Sequence, residues 1–423
     1  MYAGKNNMSG REPLYDKIFF ARQPILKADQ SLWGYELLFR NSHEATSADI
    51  SDSYKATLMV AADLCAAPGE NIPDNVKIVV NFSHKAIMDK VPYSLPARKT
   101  VVQIPETTPP TPNLIKALKE LSKDGFCIAI DDFEARPQGE FLIAYADAII
   151  VDFLSSSEAK LEKICKMCGQ YETELIAKRV ETTEQYQLAR KLGFSLFQGF
   201  YFKRPENVNG RKLRSGEIVK LKLLKLIEDP SPDFQVMAEA LQNDVSISFR
   251  LLTLLNSPTF GFSQKITSIK QALVLAGWKM LKNWLQVILL TDLNPEGKSR
   301  ELPQLATQRA KFLQLVAERS DKDIAPDSMF LLGLFSLLEA MFDLPMKELT
   351  GYLPLEAEVK AALCDEENVY SRYLELTIFF ESGEWDNLEI LLGELQLDPI
   401  QVSKSYYEAT RWANSFFQIP GTA

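Results

Sequence analysis

The run Cys127-Ile128-Ala129-Ile130-Asp131-Asp132-Phe133 decides how the first half of this chain folds. It is short and apolar, and it ends abruptly in two carboxylates. A strand covered by helices on both faces has this composition, because it has no solvent face on which polar residues would alternate. Its carboxylates then stand at the strand's C-terminal end, where barrel enzymes display their chemistry. Working outward, Ile78-Val79-Val80-Asn81 and Leu175-Ile176-Ala177-Lys178 repeat the pattern, each an apolar run closed by one polar residue. Further β-rich runs lie at Ile18–Phe20, Thr100–Ile104, Ala148–Asp152 and Phe194–Phe197. Helix-like segments at Tyr54–Cys65, Asn113–Lys123, Ser157–Gly169 and Thr183–Leu192 separate them. This alternation predicts a parallel α/β sheet, and a (β/α) barrel over residues 17–205 fits it best.

Beyond Pro205 the β-rich runs give way to helical periodicity. Residues 206–217 read as a connector and 218–415 as an all-α domain, beginning with a helix at Ile218–Ile227 that breaks at Asp229-Pro-Ser-Pro-Asp233. Ser268-Ile-Lys-Gln271 has the form of a capping box, and Pro258 marks a helix exit after Asn256. Gly277 allows a turn before Trp278-Lys-Met-Leu-Lys-Asn-Trp284, whose tryptophans read as core.

Composition narrows the function. The 423 residues are enough for two domains. With 47 basic and 56 acidic residues the net charge is −9, which disfavours nucleic acid and anionic membrane surfaces as partners. The greasiest stretch, Phe330-Leu-Leu-Gly-Leu-Phe-Ser336, is too short for a membrane span and reads as a buried helix. Residues 1–16 form a polar tail without the features of a signal peptide, so the expected location is the cytoplasm. The five cysteines fit a reducing compartment, and Cys165-Lys-Met-Cys168 falls on a helical face with no second pair and no nearby histidine.

Four segments carry a resemblance: Tyr35-Glu36-Leu37-Leu38-Phe39-Arg40, Asn81-Phe82-Ser83, Asp131-Asp132-Phe133 and Gln198-Gly199-Phe200-Tyr201-Phe202. With them the first half resembles the EAL domain, a TIM-like barrel phosphodiesterase that linearises cyclic di-GMP. The second half resembles the HDOD domain, an all-helical relative of HD phosphohydrolases, through Leu255-Asn-Ser-Pro258, Ile269-Lys-Gln-Ala-Leu273 and Leu275-Ala-Gly277. The resemblance implies metal-site roles for Glu36, Asn81, Asp131 and Asp132, a retained glutamine at Gln198, and nucleotide contacts at Gln23 and Arg40.

Three family positions are altered. Gln103 stands where the family has a metal-binding glutamate, although Glu106 remains downstream. Ile150 replaces a lysine, and Lys178 replaces a carboxylate while Glu181 is kept. A lysine charge about 5 Å from a divalent ion, at an effective dielectric of about 20, repels it by roughly 6–7 kcal/mol before relaxation. Lys178 paired with Asp131 or Asp132 would turn a metal site into an internal salt-bridge network. The helical half contains neither of the chain's histidines, His43 and His84, which excludes an HD-type metal hydrolase there.

These readings give the expectation of a non-catalytic signalling protein that needs no cofactor. Its barrel serves docking or sensing and its helical domain contacts a regulatory protein. The alternatives are a cyclic di-GMP receptor using Gln23, Arg40 and the aspartates, and a Mg²⁺-dependent phosphodiesterase with rearranged ligands. By resemblance, a homodimer through the barrel flank is a further expectation.

Overall fold

The computed structural model describes residues 18–41, 75–204, 215–228 and 277–417, apart from 296–297 and 354, with a few positions between 251 and 271. The expected helix at Tyr54–Cys65, the capping box at Ser268 and the loop at Pro258 lie outside them.

Eight strands close into a barrel in sequence order. They are β1 (Ile18–Lys27), β2 (Leu32–Asn41), β3 (Lys77–Asn81), β4 (Thr100–Pro105), β5 (Cys127–Asp131), β6 (Ala148–Asp152), β7 (Glu174–Lys178) and β8 (Leu196–Gln198). Between them run α1 (His84–Met88), α2 (Pro112–Lys123), α3 (Pro137–Leu142), α4 (Glu158–Cys168) and α5 (Thr183–Leu192). Side-chain caps start several of these helices. Thr111 accepts from the backbone of Leu114, Ser157 from Lys160, and Thr182 with Gln185 forms a complete capping box. On α4, Cys168 is buried and Cys165 half-buried, both as free thiols, in keeping with a packed helix face.

The expectation of an all-parallel sheet needs correction at one place. β1 runs antiparallel to both β2 and β8, and the remaining pairs are parallel. The turn between β1 and β2 is tight: the Asp29 carboxylate accepts from the Ser31 amide and hydroxyl, and Gln30 takes a left-handed φ of 63°. An Asx-type turn of this kind joins antiparallel strands without a crossover helix.

Side chains alternate in and out along every strand. Ile25, Val79, Val101, Ala129, Ala148, Ile150, Ile176 and Leu196 fill the barrel interior. Their neighbours, such as Ile78, Val80, Ile128 and Ile149, face the helices. Two residues from that interior layer, toward the C-terminal mouth, the inward positions become polar: Gln23, Asn81, Gln103, Asp131, Asp152, Lys178 and Gln198. Glu36 on β2 pairs with Gln23 and joins them. Ile150 therefore belongs to the apolar layer beneath Asp152.

The helical half comprises α6 (Ser215–Ile227), α7 (Trp278–Leu293), α8 (Glu301–Arg319), α9 (Pro326–Phe335), α10 (Leu338–Phe342), α11 (Met346–Leu349), α12 (Ala357–Leu363), α13 (Val369–Ser382), α14 (Trp385–Leu395) and α15 (Pro399–Phe417). α9 carries the greasiest stretch and is buried among its neighbours; among the described residues no single helix is long and apolar enough to cross a membrane. Gly333 lets α9 approach α8 so closely that a Cβ there would meet the Ala310 backbone nitrogen at 2.4 Å. Trp284 stacks on Phe416 at 4.5 Å, which places it in the core as expected. Phe312, Phe380 and Tyr406 lock α8, α13 and α15 together at centroid distances of 4.6–5.3 Å.

The outer face of the β1–β2 hairpin is covered by this helical unit. Arg22 lies over the Tyr35 ring at 4.7 Å and reaches Gln308 at 3.4 Å, and the Tyr35 hydroxyl donates to Glu301 at 2.8 Å.

Candidate functional site

Gln23, Glu36, Gln103, Asp131, Lys178 and Gln198 of the polar layer form one connected hydrogen-bond network centred on Glu36, which is 4% exposed. Its Oε1 accepts from Lys178 Nζ at 3.3 Å and from Gln103 Nε2 at 3.2 Å, and its Oε2 accepts from Gln198 Nε2. Asp131 Oδ2 accepts from the same two donors, Lys178 at 3.3 Å and Gln103. Gln198 also donates to Gln23 Oε1 at 2.7 Å, and Gln23 Nε2 donates to the backbone carbonyl of Glu381 on α13 at 2.6 Å.

Burial works against the charge on Lys178, but the attraction of Glu36 and then Asp131 outweighs it and holds the ammonium above its ordinary range. Asp131 is pushed up, first by burial and further by Glu36, against the pull of Lys178. The site therefore holds a firmly protonated lysine beside a carboxyl that takes up a proton more readily than an exposed one.

The structure gathers Gln23, Glu36, Gln103, Asp131, Lys178 and Gln198 and leaves other predicted residues apart. Asn81 ends β3 beside Gln103 in register but is exposed. Asp132 is exposed, with φ 50°, and forms no ion pair with Lys178, so the lysine bridges Asp131 and Glu36 instead. Arg40 lies on β2 opposite Phe19, and its side chain is outside the described residues. Glu106 turns away to accept from the backbones of Glu134 and Arg136, which shapes the loop after β5. Gln23, expected at the nucleotide, bonds both to Gln198 in the mouth and to the helical unit.

Sequence reasoning missed Asp152, which closes β6 opposite Lys178 and binds Arg179 at 2.7 Å. Its signal was present, since it ends an apolar strand just as Asp131 does. A cavity of about 300 Å³ opens beside this rim, lined in part by Thr107, Asp132, Phe133, Asp152 and Ser155.

Gly199 fixes the position of Gln198. Its φ is 146°, and a Cβ there would lie 2.1 Å from the Val180 carbonyl oxygen. Gly199→Ala is expected to separate the ends of β7 and β8 and to destabilise the chain by roughly 2–4 kcal/mol, measured by urea unfolding.

The donor set does not fit a divalent ion as arranged. Glu36 and Asp131 both face an ammonium, and the amide of Gln103 turns its NH₂ toward the two carboxylates, which an amide serving as a metal ligand would not do. Among the described residues no cluster of three or more histidine, cysteine or acidic side chains could hold a metal.

A closed barrel with this mouth, clasped by a helical unit, defines a two-domain barrel–helix protein. Comparison with known proteins gives it a family. Residues 60–205 match the EAL domain and residues 217–346 the HDOD domain. The cyclic di-GMP phosphodiesterase CdgJ of Vibrio cholerae is 31% identical over 97% of this chain and 96% of its own length. YuxH of Bacillus subtilis is 32% identical over 94% and 98%. The chain belongs to this EAL–HDOD family. Among solved structures, the EAL enzyme Bd1971 bound to cAMP and cyclic di-GMP is 20% identical, with a TM-score of 0.37 over 44% of this chain and 61% of that one. The PaMucR phosphodiesterase in complex with cyclic di-GMP is 19% identical, with a TM-score of 0.37 over 48% and 94%.

The family relation corrects the expectation of a non-catalytic chain, since a relative aligned across both domains is named as a phosphodiesterase. The sequence argument equated the changes at Gln103, Ile150 and Lys178 with loss of chemistry. Ile150 packs in the apolar layer, Gln103 keeps the carboxylates hydrogen-bonded, and Lys178 returns a cation to the mouth.

Proposed function

We propose that this chain is a regulatory protein of cyclic di-GMP signalling whose barrel binds the cyclic dinucleotide at its C-terminal mouth and hydrolyses it. The helical unit, in contact with Gln23, carries the state of that mouth to a regulatory protein. The observation that carries this reading is the convergence of Glu36, Asp131 and Lys178 at the mouth of a barrel whose relative CdgJ is a cyclic di-GMP phosphodiesterase.

The residues suit hydrolysis in a simple way. Lys178 offers a fixed positive charge to a phosphate oxygen. Asp131 accepts the proton of a water as its oxygen bonds to phosphorus, one phosphodiester P–O bond breaks, the departing oxygen takes a proton from solvent water, and Asp131 returns its proton to solvent. Glu36 aligns that water and is itself held by Gln103 and Gln198.

Full-length protein incubated with cyclic di-GMP is expected to form the linear dinucleotide, separable by chromatography, and Glu36→Gln is expected to slow this by roughly a hundredfold. A chain that shows neither heat of binding in calorimetry nor linear product would sink the reading.

A further inference from the structure

We infer that Lys178 is the resident cation of the barrel mouth, so that the site binds its phosphodiester ligand without a divalent ion. The inference takes only the identity of that ligand from the proposed function.

The geometry is that of an ion already replaced. β7 carries Lys178 inward, two residues past Ile176, and places its Nζ 3.3 Å from both Glu36 and Asp131. The two carboxylates are 5% and 7% exposed, whereas the lysine side chain is 20% exposed. Its charge thus neutralises the buried anions from within and still faces the mouth. Gln103 donates to the same two carboxylate oxygens and Gln198 to Glu36 Oε2, while Asp131 Oδ1 and Gln103 Oε1 are buried without a hydrogen-bond partner among the described residues. Asp132, which could have joined Asp131 in a ligand set, is exposed and outside the lysine's ion pairs. A divalent ion would have to expel an ammonium held by two carboxylates and also reverse the Gln103 amide. A phosphodiester anion meets a positive group already in place.

Manganese titrated into the wild-type chain without nucleotide is expected to give no saturable binding, whereas Lys178→Glu gains a saturable site. Lys178→Gln removes the charge without adding a third carboxylate to the pair. It serves as the second variant if Lys178→Glu does not fold, and it is expected to gain the same site more weakly, read as a rise in melting temperature with manganese. Wild-type affinity for cyclic di-GMP is expected to agree within about twofold between EDTA and magnesium. Saturable manganese binding by the wild type that Glu36→Gln abolishes, or a loss of more than about tenfold in nucleotide affinity on chelation, overturns the inference. Folded variants that take no manganese also overturn it, because the lysine would not be what keeps the ion out. Absence of nucleotide binding in both buffers counts against the cyclic di-GMP reading, and the manganese titrations then decide this one alone.

Discussion

Glu381→Ala is expected to lower the stability of the full chain by roughly 3–5 kcal/mol and to loosen the joint between barrel and helical unit. Glu381 is 2% exposed and sits between two cations. Arg309 of α8 donates to both of its oxygens at 2.7 Å, and Lys203, just past β8, donates to Oε2 at 2.7 Å. Burial works to raise the Glu381 carboxyl, but Arg309 and then Lys203 outweigh it and hold it below the usual range. Removing that one carboxylate leaves both cations buried and unpaired, and the lost compensation far exceeds that of a surface ion pair. Urea unfolding measures the effect. A cost under about 1 kcal/mol would mean that water reaches the triad.

Lys203 gives this prediction a control with its own pH signature. Burial, with Arg309 adding to it, pushes its ammonium down from 10.5 to about 8, against the attraction of Glu381. The folded value lies below the unfolded one, so between pH 8 and 10.5 the unfolded chain binds more protons. The group's penalty is thus fully present below pH 8 and is lost as the pH rises to 10.5. Lys203→Met keeps the Arg309–Glu381 fork, so it is expected to fold well and to remove this rise in stability.

The joint also shows where sequence reading stops. The polar ends of β3, β5, β7 and β8 were legible because each closes an apolar run, and the parity of those runs forces the end residues inward. Asp131, Lys178 and Gln198 could be assembled on that basis, as could the Lys178–Asp131 bridge, whereas Glu36 came only from the family resemblance. The antiparallel β1–β2 hairpin was not legible. Its turn, Lys27-Ala-Asp-Gln-Ser-Leu32, lacks the glycine that usually marks such turns, and its strands carry Arg22, Gln23 and Glu36 at positions that break a plain apolar pattern. Lys203 and Arg309 lie 178 and 72 residues from Glu381, and no local pattern announces a pairing across such separations. The bond from Gln23 to α13 was likewise not legible, because nothing local ties the two.

Lys178→Met tests the charge balance at the mouth itself. Near neutral pH the variant is expected to be less stable than the wild type by roughly 3–5 kcal/mol, because Glu36 and Asp131 then face each other without a cation. The difference should shrink in acid. Asp131 already has a raised folded value from burial and from Glu36, and losing the attraction of Lys178 raises it further. A carboxyl raised in the folded state contributes stability that is present below its unfolded value of 3.8 and is lost as pH climbs through the folded value. The variant should therefore weaken with rising pH across the carboxylate range. Lys178 of the wild type, itself raised above 10.5, keeps its contribution throughout that range and loses it only in strong alkali. Unfolding curves of both proteins across that range separate the two cases: a gap that stays constant with pH would assign the lysine to packing through its hydrocarbon stem, and a gap that closes in acid assigns it to charge. In the second case a proton at low pH does for the carboxylate pair what the ammonium does at neutral pH, and that equivalence explains how a barrel mouth with an altered ligand set keeps its buried anions in place.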